Sequence, residues 1–386
     1  MSSHPICDED TPDPWVVASP QHGGGYYFTF TLGNRVEIWH SHTFDNFRQA
    51  RKTVIWHPAE GSPWSADIWA PELHYLAGKW YVYTCAAPPG VGNPGHRTIV
   101  LWSSRSDPMD AAGWELLGPI PGMPDQWAID ATVFCPDPHD RAKLYICWSG
   151  WPPGDSSDTQ QDLFVMQLQS PEAAMPGTEA VCVSRAELSW ERPEGGRRGV
   201  NEGPQWVETY GPNGGFRGIV YSAHGSWTSE YKLGLLALVG PDPLQREHWV
   251  KRQTPLLVSD RAYGGPFGPG HASFVPSPWP NDHRLMCVYH ATANENEGWA
   301  NRKARVLPMD PVCFAQHAAT LCCGMGVVGG GGGSHNPGSS GSAPSGSHSP
   351  TGGNITGGDK QWTGKRLREK MPPEVLGIFN KVKKFI

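Results

Sequence analysis

The sequence predicts an all-β fold: a five-bladed β-propeller, then a disordered Gly/Ser/Pro linker and a short C-terminal basic helix. Three observations lead there. The 386 residues include 18 Trp, 11 Tyr and 12 Phe beside 47 Gly and 38 Pro, so strand-favouring and turn-favouring residues are both abundant. A strand–turn–strand theme recurs five times, at intervals of 58–72 residues. Composition then changes abruptly near Gly329. The chain divides accordingly into an N-terminal extension (1–10), a propeller domain (11–325), a linker (326–358) and a basic tail (359–386).

The repeats come first. The copies are "DPWVVASPQHGGGYYFTFTL", "APELHYLAGKWYVYTCAA", "DATVFCPDPHDRAKLYICWSGW", "EGPQWVETYGPNGGFRGIVYSA" and "GHASFVPSPWPNDHRLMCVYHA". Each sets period-2 aromatic or β-branched residues on both sides of a turn rich in Gly, Asp, Asn or Pro. Five such units suit five blades, whose radial repetition protects sheet edges. No Gly-His…Trp-Asp signature recurs, which disfavours an interaction propeller of that type. The copies are led by Asp13, Glu72, Asp130, Glu202 and His271. Inner strands of a propeller line one channel, so these five side chains are expected to converge. Crowded carboxylates cost desolvation and mutual repulsion, and such clusters mark chemistry or a bound cation.

The stretch from Gly329 to Gly358 has almost no apolar residues and cannot bury enough surface to fold, hence the linker. Beyond it, Leu376, Phe379, Val382 and Phe385 or Ile386 recur at helical spacing between lysines. A basic amphipathic helix of this kind suits contact with a membrane surface or a protein. Residues 359–386 carry eight Lys/Arg against three acids, so the net charge of −6 conceals a body near −11. An acidic body excludes nucleic acid as the main partner. No run of about 18 apolar residues is present to span a membrane. "MSSHPICDEDTPDPWVV" has neither a basic n-region nor an apolar h-region, so the chain as written is expected to be cytoplasmic, or extracellular if its N-terminus is truncated. The nine cysteines form no CxxC pair, and Cys85, Cys135, Cys147 and Cys287 sit in apolar runs as small core residues.

The ordered set "TPDPWVV", "DIWAPELHYLAGKWYVYT", "WAIDATVF", "WSGW", "VNEGPQW", "YSA" and "FGPGHASF" resembles family 43 glycoside hydrolases, in particular exo-acting α-L-arabinofuranosidases, across about residues 11–310. Asp-Pro alone is a common turn initiator; the ordered set, one piece per blade, is specific. The resemblance implies an inverting mechanism with Asp13 as general base, Glu202 as general acid and Asp130 as the carboxylate that raises and orients the acid. Protonating a leaving oxygen while activating water from the opposite face needs two such groups. It also implies Arg302 as a hydroxyl-binding pocket residue, with Arg305 as the fallback because Leu307 stands where the family usually has Gln. His271 matches a family histidine that often meets an axial metal, commonly calcium. No cofactor is expected for the chemistry, with Ca2+ at the axis as a candidate structural ion. Glu72 reads as a pocket-lining acid. Trp15, Trp69 and Trp148 lie beside the motif residues and can stack a sugar, with blade core as their other reading.

The expected activity is removal of terminal α-L-arabinofuranosyl residues from arabinan, arabinoxylan or arabino-oligosaccharides of plant cell walls. A β-xylosidase or an endo-arabinanase on the same scaffold is the alternative. A non-catalytic carbohydrate-binding propeller predicts loss of at least one of the three carboxylates, and all three are present.

Overall fold

A computed structural model describes residues 4–324 except 22, 138 and 211–214. The linker and helix expected within 326–386 lie outside the described residues. No described helix is long and apolar enough to cross a membrane.

Among the described residues the strands fall into five antiparallel groups that resemble propeller blades. The first holds β1 (Trp15–Ala18), β2 (Tyr26–Thr29), β3 (Val36–Ser41) and β4 (Arg51–Trp56) in that order. The second holds β5 (Ala66–Leu76), β6 (Lys79–Ala87), β7 (Arg97–Ser103) and β8 (Trp114–Pro119). In the third, β9 (Ala128–Phe134), β10 (Leu144–Gly150) and β11 (Gln160–Ser170) are followed by β12 (Ala173–Ala174) and β13 (Val181–Ser184), both paired with β11. The fourth has β14 (Gly199–Glu208), β15 (Arg217–Ala223) and β16 (Lys232–Leu238), with β17 (Trp249–Lys251) and β18 (Leu257–Val258) on the edge of β16. The fifth has β19 (Phe267–Pro276), β20 (Leu285–Thr292) and β21 (Lys303–Met309). A short parallel pairing of Gln160–Gln161 with Gly199–Val200 joins the third and fourth groups.

Burial follows position in the blade. The middle strands β10 ("LYICWSG") and β16 ("KLGLLAL") are buried throughout, as expected of strands covered on both faces. The outer β4 ("RKTVIW") keeps Arg51 and Lys52 in solvent and buries Ile55. Packing occurs between successive sheets. Ile38, Leu73 and Leu101 meet between the first and second, Tyr83, Val133 and Phe164 between the second and third. Val165, Ile219 and Leu236 fill the third interface, and Leu235, Tyr289 and Leu307 the fourth. Val16, Phe28, Val275 and Val288 pack the fifth group against the first. Each inner strand also touches the next: β1 with β5, β5 with β9, β9 with β14, β14 with β19, and β19 with β1.

Both ends of the described chain are built into this body. Ile6 and Cys7 are fully buried, and the Ile6 N–H donates to Ala304 O beside a Pro5–Arg305 bridge on β21. At the other end Phe314 is core, and β22 (Leu321–Cys322) pairs parallel with β18. All nine cysteines are free. Cys85, Cys147 and Cys287 are core as expected, but Cys135 is half-buried. It lies just past the end of β9, where its thiol faces the carbonyls of Asp137 and Asp140 in the turn.

Candidate active site

A left-handed residue recurs just before or within the first half of every inner strand: Asp13 (φ 56°), Ala70 (46°), Asp130 (56°), Gly203 (54°) and His271 (43°), with a second one, Asp67 (51°) and Gly268 (60°), in β5 and β19. Pairing with the second strand slips around Ala70, Asp130, Gly203 and His271, between Trp69 and Glu72, Cys147 and Ser149, Glu202 and Gln205, and Gly270 and Ser273. These are β-bulges, which re-aim side chains at the cost of local strain. They correct the expected equivalence. Asp13, Asp130 and His271 occupy the same blade position. Glu202 sits one residue before its bulge and Glu72 two residues after.

Gly203 is glycine for two reasons. Its φ is left-handed, and a Cβ there would lie 3.2 Å from the His271 ring and from Ser222 Oγ. Its N–H donates to Asp130 Oδ2 at 3.0 Å. Ser222, in the "YSA" stretch, accepts the His271 N–H at 2.7 Å.

The structure brings four of the five lead residues directly together. His271 Nδ1 lies 3.3 Å from Asp13 Oδ1 and 3.9 Å from Asp130 Oδ2. Asp13 Oδ2 accepts from Thr31 at 2.7 Å, and its N–H donates to His290 Nδ1 at 3.0 Å. Arg302 reaches Asp13 Oδ1 at 3.7 Å, whereas Arg305 is buried in β21. Glu202 accepts from Tyr231 at 2.8 Å and from Gln161 at 3.2 Å. Glu72 lies one layer further, 2.9 Å from His74 Nε2.

These surroundings drive the carboxyl groups apart. Burial works to raise Asp13, but Arg302, His271 and His290 outweigh it and hold the group ionised, well below the usual carboxylate range. Burial, reinforced by the neighbouring Asp130, pushes Glu202 up to about 7. Asp130 is raised to about 6, again first by burial, with His271 opposing. The two acids titrate as a pair, and Glu202 is the one that favours the proton. His271 rises to about 9: burial works against its charge, and Asp130 and Asp13 overcome that. Burial pushes Glu72 up and His74 down, disfavouring the charged form of each, so their contact is a neutral hydrogen bond rather than an ion pair.

His271 thus faces two carboxylates, Asp13 and Asp130. Calcium takes about six to eight oxygen ligands, and among the described residues no group of three or more His, Cys, Asp or Glu is placed to hold a metal.

The three tryptophans separate. Trp69 is half-buried, stacks on His96 at 3.9 Å and packs against a cluster that holds the stacked pair Trp127–Trp151. Trp15 donates to Leu73 O and packs on His74, between the first and second blades. Trp148 corrects the expectation of a sugar-stacking residue. It lies on the second strand of its blade and is buried against Phe164 in the core. Thr31, Tyr231 and His290 belong to the site but the sequence does not single them out: Thr31 and His290 lie inside repeat copies away from their lead residues and Tyr231 outside them, and all three reach the site only through the fold.

The chain thus sets an ionised carboxylate and a protonated one in one buried cluster, with an arginine and an imidazolium beside them. Comparison with protein families matches residues 2–313 to Glycosyl hydrolases family 43. The chain belongs to this family. It is 32% identical over 268 residues to alpha-L-arabinofuranosidase 43 of Humicola insolens, covering 69% of this chain and 51% of that protein. It is 32% identical over 272 residues to an extracellular exo-alpha-(1->5)-L-arabinofuranosidase of Streptomyces chartreusis, covering 69% and 76%. The chain spans about half the length of the first of these relatives. The crystal structure of an alpha-L-arabinofuranosidase from Lactobacillus brevis superposes with a TM-score of 0.66 at 30% identity, over 77% of this chain and 90% of that one.

Proposed function

We propose that this family 43 chain is a five-bladed propeller that acts as an exo-acting, inverting α-L-arabinofuranosidase on arabinan or arabinoxylan side chains. The observation that carries the proposal is the opposite tuning of Asp13 and Glu202, one held ionised and the other held protonated in one cluster. Two carboxyls whose surroundings separate their proton affinities are the acid and base that glycoside cleavage requires. The cyclic contact of the inner strands and the packing of the fifth group on the first support the propeller reading.

In this mechanism Glu202 gives its proton to the leaving oxygen as the glycosidic C–O bond breaks. Asp13 takes a proton from a water attacking the opposite face of the sugar. Asp130 keeps Glu202 protonated by its charge and fixes the Gly203 turn beside it. His271 neutralises the remaining negative charge. Arg302 binds a sugar hydroxyl and holds Asp13 ionised. Trp69 offers the apolar face for the ring. Each step uses protein groups, water and substrate alone. Arabinofuranose is favoured over xylose because relatives at 32% identity carry arabinofuranosidase names, and exo action because one of them is named for it.

Aryl α-L-arabinofuranosides and aryl β-D-xylosides separate the sugar readings. The expected result is release from the arabinosides, with Glu202→Gln reducing kcat/KM by about a hundredfold or more. Cleavage of neither, or full activity in the variant, overturns the assignment.

A further inference from the structure

Outside the acid cluster, the loops that follow β15 and β20 carry a second aromatic feature. Trp299, on the loop between β20 and β21, is 57% exposed. Its edge is pinned by a hydrogen bond from Nε1 to Ser226 Oγ at 3.1 Å, which leaves the ring face open. It meets Trp227 of the β15–β16 loop edge-to-face, with centroids 5.9 Å apart. The Arg198 guanidinium lies 5.5 Å from the Trp227 ring centre and is held by Asp158 at 2.6 Å. Three blades therefore brace this pair. An exposed indole fixed in this way is preorganised for binding rather than ordinary surface.

Two connections tie the pair to the chemistry. Trp299 O accepts from Arg302 Nε at 3.2 Å, and the other end of that guanidinium reaches Asp13. Trp227 stands five residues beyond Ser222, the direct cross-strand partner of Glu202. A leaving group protonated by Glu202 departs on the fourth-blade side, where these loops project.

We propose that Trp299, supported by Trp227 and Arg198, is the stacking platform for the leaving sugar, the penultimate arabinofuranose of the chain being trimmed. This rests on the arabinofuranosidase reading. The apolar face of a sugar ring packs on indole, a contact that carries geometry as well as area. An enzyme so built favours an oligosaccharide over a glycoside with a small aglycone.

The test compares α-1,5-arabinobiose with methyl α-L-arabinofuranoside in wild type, Trp299→Ala and Trp299→Phe. The alanine variant is expected to lower kcat/KM for the biose about three- to tenfold, with less than a twofold change for the methyl glycoside, and phenylalanine to restore most of the loss. An equal loss on both substrates, or no loss on the biose, overturns the platform. If wild type cleaves neither substrate, it is the arabinofuranosidase reading that fails.

Discussion

The Gly203 N–H donates to Asp130 Oδ2 at 3.0 Å, so one blade's bulge is fastened to the carboxylate of its neighbour's. Glu202, next along the chain, is thereby aimed by the residue whose charge also helps keep it protonated. Asp130 thus bears on both the position and the proton affinity of the proposed acid, adding on the second count to the larger effect of burial.

Gly203→Ala should damage both. The left-handed φ of 54° and the 3.2 Å approach of a Cβ to His271 and Ser222 leave no unstrained place for a methyl group. Ala at such a site is expected to cost about 1–3 kcal/mol of stability, read by urea denaturation. Displacement of Glu202 by about 1 Å is expected to lower kcat by about a hundredfold. Unchanged kcat in the folded variant would show that the bulge does not aim the acid.

Glu202 also makes a prediction about stability. Its folded value is about 7 against an ordinary 4.5, so between these values the folded state binds more protons than the unfolded one. Stability from this group is therefore complete at low pH and declines as pH rises through that window. Glu202→Gln removes the ionisation while keeping the shape. Its unfolding free energy should match wild type near pH 4 and exceed it at pH 8 by up to about 3 kcal/mol. An equal difference at both pH values would mean that Glu202 is not held protonated by the fold.

The limits of the sequence lie in the same bulges. The polar residue before each strand is visible as a repeat, and convergence of Asp13, Asp130, Glu202 and His271 follows from radial symmetry. A one-residue bulge is invisible to period counting, so Glu202 and Glu72 read as equivalents of Asp13 when they are offset by one and two. Thr31, Tyr231 and His290 come from loops and from strands outside the innermost layer. Nothing local distinguishes Tyr231 from the many buried tyrosines, because its role exists only once β16 lies beside β15.

Trp148 and Trp69 illustrate the same limit and can be told apart by experiment. Both stand near motif residues, but Trp148 is 4% exposed and packs on Phe164, while Trp69 is only half-buried and stacks on His96. Trp148→Ala is expected to lose about 3–5 kcal/mol of stability with KM unchanged in the protein that remains folded. Trp69→Ala should raise KM. A raised KM in the Trp148 variant at full stability would return that residue to the sugar site.

Arg302 sets the acid side of the pH profile. With the guanidinium 3.7 Å from Asp13 Oδ1, Asp13 stays ionised far into acid, so kcat/KM should show no acid limb from Asp13 near its ordinary value. The basic limb should fall near pH 7 as Glu202 loses its proton. Arg302→Ala removes the foremost of the charges holding Asp13 down, while burial continues to push it up. The acid limb should then move to higher pH, narrowing the bell from that side and leaving its basic edge in place. Arg302→Lys keeps the charge but not the planar fork, so it should preserve the acid limb while still raising KM. Identical pH profiles in the alanine variant and wild type would separate Arg302 from Asp13 and leave it a sugar-binding group alone.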